Sequence, residues 1–123
     1  MNKVTRLSVF FVALLALLAS PVLAQTTGSI SGEIKDEKQA VVTNATVTVR
    51  NVKTNEARTT QTDGDGRYRF NGMPVGDYEI TVESTGFAKY VQSGIQLVLN
   101  QQATVDATLK TGQVTEVVNV VEN

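Results

Sequence analysis

Polar and apolar residues alternate with a period of two along most of the chain between residues 29 and 110. Turn-forming residues break the alternation about every ten positions, the spacing expected of short strands joined by tight connections. Ile30, Gly32 and Ile34 fall on one face, and Ser31, Glu33 and Lys35 on the other. Ala45, Val47 and Val49 alternate with Thr46, Thr48 and Arg50. Tyr68 and Phe70 alternate with Arg67, Arg69 and Asn71, and Tyr78, Ile80 and Val82 with Glu79, Thr81 and Glu83. Ile95, Leu97 and Leu99 form a further face, and Ala103, Val105, Ala107 and Leu109 another. Residues 56–62, polar and rich in Thr, suit an exposed edge strand. Successive side chains of an extended chain point to opposite sides, so this pattern predicts strands with one buried face. Seven strands result, and no stretch has helical spacing. The pattern fits an all-β sandwich or a small closed barrel.

The first 24 residues break this pattern. Lys3 and Arg6 precede an uncharged run of twelve residues, Leu7 to Leu18, and then Pro21. Spanning a bilayer takes about 20 apolar residues, so the run is short for an anchor and fits a secretory signal. Short side chains at Val22 and Ala24 place the expected cleavage between Ala24 and Gln25. The expected organisation is a signal peptide over 1–24, a β-sandwich over 25–110 and an extended tail over 111–123. The mature chain has 99 residues and a net charge of −3.

Composition narrows the chemistry. The chain has no Cys, His or Trp. Disulfides, thiol nucleophiles, Cys/His zinc sites and His-based dyads or triads are therefore excluded. Eleven basic residues against twelve acidic ones give no basic field for nucleic acid. No phosphate-binding Gly-rich loop and no paired catalytic carboxylates stand out. The chain is read as a non-enzyme without a cofactor or metal.

The most specific segment is Thr62 to Phe87, TDGDGRYRFNGMPVGDYEITVESTGF. Asp63-Gly64-Asp65-Gly66 supplies turn formers, Pro74 cannot donate to a ladder, and Gly76-Asp77 and Gly86-Phe87 make further turns. The order D-G-x-Y-x-F, P-x-G-x-Y-x-I-x-V, then G-F resembles the carboxypeptidase regulatory-like family. Gly28 to Ile34 and Ala45 to Val49 are similar to that family's first two strands. The resemblance covers roughly residues 27–110 and implies a seven-stranded antiparallel, transthyretin-like (prealbumin-like) β-sandwich of the carbohydrate-binding-like group. The family takes its name from a domain that accompanies zinc carboxypeptidases, whose metal site cannot be built without His.

A signal peptide, this sandwich and the tail TGQVTEVVNVVEN together resemble the start of large TonB-dependent outer-membrane receptors. The resemblance implies a periplasmic, outer-membrane-associated module of a Gram-negative bacterium, with TonB or a receptor plug and barrel as partner. In that setting Glu116, Val117, Val118 and Val120 look like a strand that pairs with TonB. The competing reading of the tail is a further strand of the sandwich, or a linker. The runner-up function is a free-standing carbohydrate-binding or surface-adhesion module, with glycans stacked on exposed aromatics such as Tyr68 and Tyr90.

Three smaller features carry expectations. Asp63 and Asp65 are read as turn residues rather than calcium ligands, because the loop supplies too few oxygens. Asn44-Ala45-Thr46 is a formal glycosylation sequon, read as the end of a turn. Arg67 and Arg69 are expected to pair with Glu79 or Glu83 across a hairpin.

Overall fold

The computed structural model describes residues 27–112 and 116–119, so Ala24, Gln25 and Val120 lie outside the described residues. Nine strands and no helix occur among them: β1 (Thr27–Asp36), β2 (Thr46–Asn51), β3 (Ala57–Gln61), β4 (Arg67–Pro74), β5 (Gly76–Glu83), β6 (Tyr90–Leu97), β7 (Gln102–Thr104), β8 (Ala107–Leu109) and β9 (Glu116–Asn119). They form two packed sheets. The first has the order β4-β1-β7, with β8 also on β1, and the second has the order β3-β2-β5-β6-β9. The expected β-sandwich is thus the observed fold.

Its core lies between the sheets, where the period-two alternation places the apolar residues. Ile30, Ile34, Tyr68, Phe70, Met73 and Leu109 from the first sheet meet Val47, Val49, Tyr78, Ile80, Val82 and Leu97 from the second. Two buried tyrosines satisfy their hydroxyls on main-chain carbonyls. Tyr68 donates to the Val105 carbonyl at 2.7 Å, and Tyr78 to that of Pro74. Tyr68 and Phe70 also meet edge to face, with ring centroids 5.9 Å apart. Buried Thr62 latches the loop before β2: its hydroxyl accepts from the Ala45 N–H at 2.9 Å and donates to the Val42 carbonyl at 2.7 Å.

Several expectations need correction. The sheets are mixed rather than purely antiparallel, because β7 and β8 run parallel to β1 and β9 runs parallel to β6. The expected seventh strand keeps its alternation, with Ala103, Val105, Ala107 and Leu109 all buried, but its ladder breaks in the middle. There the Asp106 carboxylate accepts the Glu33 N–H at 2.8 Å, replacing a main-chain partner. Gly32 makes this close passage possible, since a Cβ on it would sit 1.8 Å from the Val105 carbonyl oxygen. Leu99 is not on a buried face. It lies 53% exposed in the turn from β6 to β7, where Asn100 adopts a left-handed φ of 59°.

Two strands change phase part-way. In β4 the buried positions are Tyr68 and Phe70, then Met73; in β6 they are Tyr90, then Ile95 and Leu97. Each switch coincides with a register shift against the neighbouring strand and with a left-handed glycine, Gly72 (φ 62°) in β4 and Gly94 (φ 77°) in β6. These are β-bulges: one extra residue on one strand swaps the face of every side chain beyond it.

Candidate interaction edge

The tail residues singled out by the sequence lie at the edge of the second sheet. Glu116, Val117 and Val118 belong to β9, which pairs in parallel with β6: Glu116 opposite Tyr90, Val117 opposite Val91, Val118 opposite Gln92 and Asn119 opposite Ser93. The approach to β9 is fixed at the head of β6. Thr111 bridges to Phe87, and the Gly112 N–H donates to the Gly86 carbonyl at 3.2 Å. Val117 is 58% and Val118 36% exposed. The main-chain ladder to β6 positions the strand.

The aromatic residues tell a different story. Tyr68 is 4% exposed and Tyr90 8%, and Phe70 and Tyr78 are buried as well. Burial pushes the Tyr68 phenol above its ordinary pKa, with the Asp106 carboxylate adding to the effect. A stacking platform for sugars built on Tyr68 and Tyr90 is therefore not at the surface.

The Asp63 loop is a turn. One Asp63 carboxylate oxygen accepts the N–H groups of Asp65 and Arg67, both at 2.9 Å, and the Asp63 carbonyl accepts the Gly66 N–H at 3.0 Å. The Arg67 and Asp65 N–H bonds hold the Asp63 carboxyl below the ordinary carboxylate range. Gly66 sits at φ 72°, with the Ile34 carbonyl oxygen 2.8 Å from where a Cβ would stand. Among the described residues no group of three or more acidic side chains gathers as a metal site. Asn44 closes a turn at φ 56°, its N–H donating to the Thr62 carbonyl.

Arg67 and Arg69 do not pair with Glu79 or Glu83, because β4 and β5 lie in different sheets and the chain between them crosses from one to the other. Arg69 Nε donates instead to the Asn71 side chain at 2.7 Å. Glu79 pairs with Arg50 and Glu83 with Lys89, each at 3.4 Å. Arg67 and Arg69 border an open groove of about 630 Å³, together with Glu33, Asp63 and Asp106. Both signs of charge line it, and the Asp63 and Asp106 carboxylates already accept backbone N–H groups.

A model of the carboxypeptidase regulatory-like domain matches residues 29–110, two-thirds of the chain, from the third residue of β1 through β8. The chain belongs to the carboxypeptidase regulatory-like domain family. This regulatory-like domain is also 31% identical over 121 residues to the TonB-dependent transporter Oar of Myxococcus xanthus. That match takes in 98% of this chain and 11% of the relative, so the chain spans about a ninth of the protein it resembles. Among solved structures, a streptococcal ancillary pilin superposes with a TM-score of 0.56 at 16% identity, over 72% of this chain and 33% of the pilin. A mercury-inhibited catechol 1,2-dioxygenase from Acinetobacter superposes with a TM-score of 0.59 at 12% identity, over 75% of this chain and 55% of the enzyme. At such identities the likeness is one of fold, and the enzyme's chemistry does not follow from it.

Sequence reasoning missed residues that shape the edge. Gly94 sets the phase of β6, and its isolated place within a strand-forming segment was the available signal. The docking of β9 on β6 had no local signal, because parallel partners are distant in sequence and no hairpin turn joins them.

Proposed function

We propose that the chain is the periplasmic N-terminal β-domain of a TonB-dependent outer-membrane receptor, or a piece of one, and that it acts as a non-enzymatic interaction module. The observation that carries this reading is the match to Oar along 98% of the chain, which extends past the sandwich on both sides. Residues 1–24 serve as the export signal, with cleavage between Ala24 and Gln25. Glu116, Val117, Val118 and Val120 serve as the strand that meets TonB. Adding a strand to a partner's sheet asks only for an extended segment with main-chain groups to offer, and β9 has that form. The sandwich supplies a rigid mount for it, and transport belongs to the plug and barrel of the receptor.

Fractionated cells probed with an antibody to residues 25–123 test this. A large band embedded in the outer membrane, with Gln25 at its N-terminus by end-group sequencing, is the expected result. A soluble periplasmic band of about 10 kDa, the size of a free domain of this length, would overturn it.

A further inference from the structure

Asn71 is the only asparagine in the chain that is followed by glycine. That dipeptide has a chemistry of its own. The main-chain nitrogen of the second residue can attack the side-chain amide carbon of the first, and glycine leaves the approach free of a side chain. In a regular strand the ladder fixes the main chain and opposes the attack. Here the ladder is interrupted at this point. Met73 lies opposite Gly28 and Phe70 opposite Ile30, so Asn71 and Gly72 face the single residue Ser29 and neither has a partner in register. Both are exposed, on a strand that ends its sheet among the described residues. Gly72 is left-handed at φ 62°, with open space where a Cβ would stand.

Two guanidinium groups already bind this dipeptide. Arg69 Nε donates to the Asn71 side-chain oxygen at 2.7 Å. Arg58, from β3 of the opposite sheet, donates to the Asn71 main-chain carbonyl at 2.8 Å and to that of Gly72 at 3.3 Å. Each contact favours a different part of the reaction. A cationic donor on the Asn71 carbonyl draws electrons from the Asn71–Gly72 peptide and makes the Gly72 N–H easier to deprotonate. A cationic donor on the side-chain oxygen makes the amide carbon more electrophilic, and it faces the atom on which negative charge develops.

We propose that Asn71–Gly72 is a self-modification site, where the chain converts its own asparagine to aspartate and isoaspartate with the help of Arg58 and Arg69. Hydroxide from solvent takes the Gly72 amide proton, and the nitrogen bonds to Asn71 Cγ. Arg69 holds the oxyanion formed on Oδ1. The Cγ–Nδ2 bond then breaks, and Nδ2 leaves as ammonia with a proton from water. The cyclic imide adds one water and opens. Attack at Cγ restores the main chain with an aspartate. Attack at the main-chain carbon routes the chain through the former side chain, as isoaspartate. In sum one water is consumed and one ammonia released, and nothing is oxidised or reduced. The product carries a new carboxylate beside Arg69. In the isoaspartate form the carbonyl that Arg58 holds has left the main chain, so the modification acts on a tie between the two sheets.

The purified full chain is incubated near neutral pH and digested, and its peptides are read by mass spectrometry, with isoaspartate detected by enzymatic methylation. The expected result is conversion at Asn71 to both products, ahead of every other asparagine. Retention of the Asn71 amide while other asparagines convert, or throughout, overturns the inference. Arg58→Gln and Arg69→Gln separate chemical assistance from a structural tie. Each should slow conversion of the folded chain by about threefold or more, the loss of one hydrogen bond in the transition state. Neither should slow it in urea, where the contacts are gone. Smaller effects in the folded variants, or equal slowing in urea, overturn the inference. The parent chain decides without any substitution. It should convert at least as fast folded as in urea, and slower conversion when folded overturns the inference.

Discussion

Strands β5 and β9 belong to one sheet and share β6 as a neighbour, yet they are held by different forces. β5 is central, paired with β2 on one side and β6 on the other. It sends Tyr78, Ile80 and Val82 into the core, where each is almost completely shielded. Burial of a large apolar side chain contributes about 1.5–3 kcal/mol, so β5 is fixed by its side chains. Among the described residues β9 has one neighbour, two exposed valines and a parallel ladder, which is slightly weaker per residue than an antiparallel one. Its main-chain ladder with β6 places it, and Val117 and Val118 contribute little to the core. The position of a strand in its sheet therefore decides how far its side chains are committed to the core.

The sharpest way to break this contrast is at the centre. Tyr78→Ala removes a buried ring and the hydroxyl that caps the Pro74 carbonyl. The expected loss is about 3–5 kcal/mol, read from urea unfolding. A loss under about 1 kcal/mol would put Tyr78 outside the core and erase the distinction between centre and edge. Next in size is Val82→Thr, which keeps volume but places a hydroxyl at a position with no exposed surface. An unsatisfied buried hydroxyl costs about 1–3 kcal/mol, again measured as a shift in unfolding free energy.

The same contrast explains what was legible in the sequence. β2, β3 and β5 run without bulges of their own, so the alternation of Val47 with Thr48, or of Ile80 with Thr81, gave both the strand and its buried face. β6 was legible only from Ile95 onward. Its bulge at Gly94 inverts the phase, and Tyr90 lies out of step with Ile95. Gly72 does the same between Phe70 and Met73. Both glycines stood alone inside strand-forming segments, where an isolated glycine signals a bulge. Leu99 continued the apparent alternation of Ile95 and Leu97 but belongs to a turn, because hydrophobicity alone does not mark where pairing stops. The partners of Arg67 and Arg69 could not be read locally. The chain changes sheets at Val75, so sequence neighbours across that point are not hairpin partners. The turn at Asp63 was legible in full, since its chemistry lies within four residues.

That turn, like β9, is held by hydrogen bonds rather than by core packing, and acid should expose the difference. Asp63 has its folded-state pKa lowered by the N–H groups of Arg67 and Asp65. A lowered carboxylate contributes stability that is fully present above the unfolded value of 3.8 and is lost as pH falls through the folded value. Asp63→Asn keeps an acceptor oxygen but cannot titrate. Urea midpoints compared between about pH 5 and about pH 2 should fall less steeply for Asp63→Asn than for the parent, the other carboxylates being common to both. Equal slopes would mean that the two N–H bonds do not favour the charged form.

The smallest expected effect is the most informative about the edge. Val118→Thr is the same chemical change as Val82→Thr, made in the same sheet, but at a side chain with 36% of its surface in water. Its new hydroxyl can reach solvent, so the desolvation cost that penalises the buried position is absent. The unfolding free energy should move by less than about 0.5 kcal/mol. The hydrogen-exchange protection of Tyr90–Ser93 should also persist, because the parallel ladder uses only main-chain groups. A loss comparable to that of Val82→Thr would mean that Val118 is packed in solution, and β9 would then be a structural strand of the core. A near-zero change would leave β9 as a strand whose side chains the sandwich does not need.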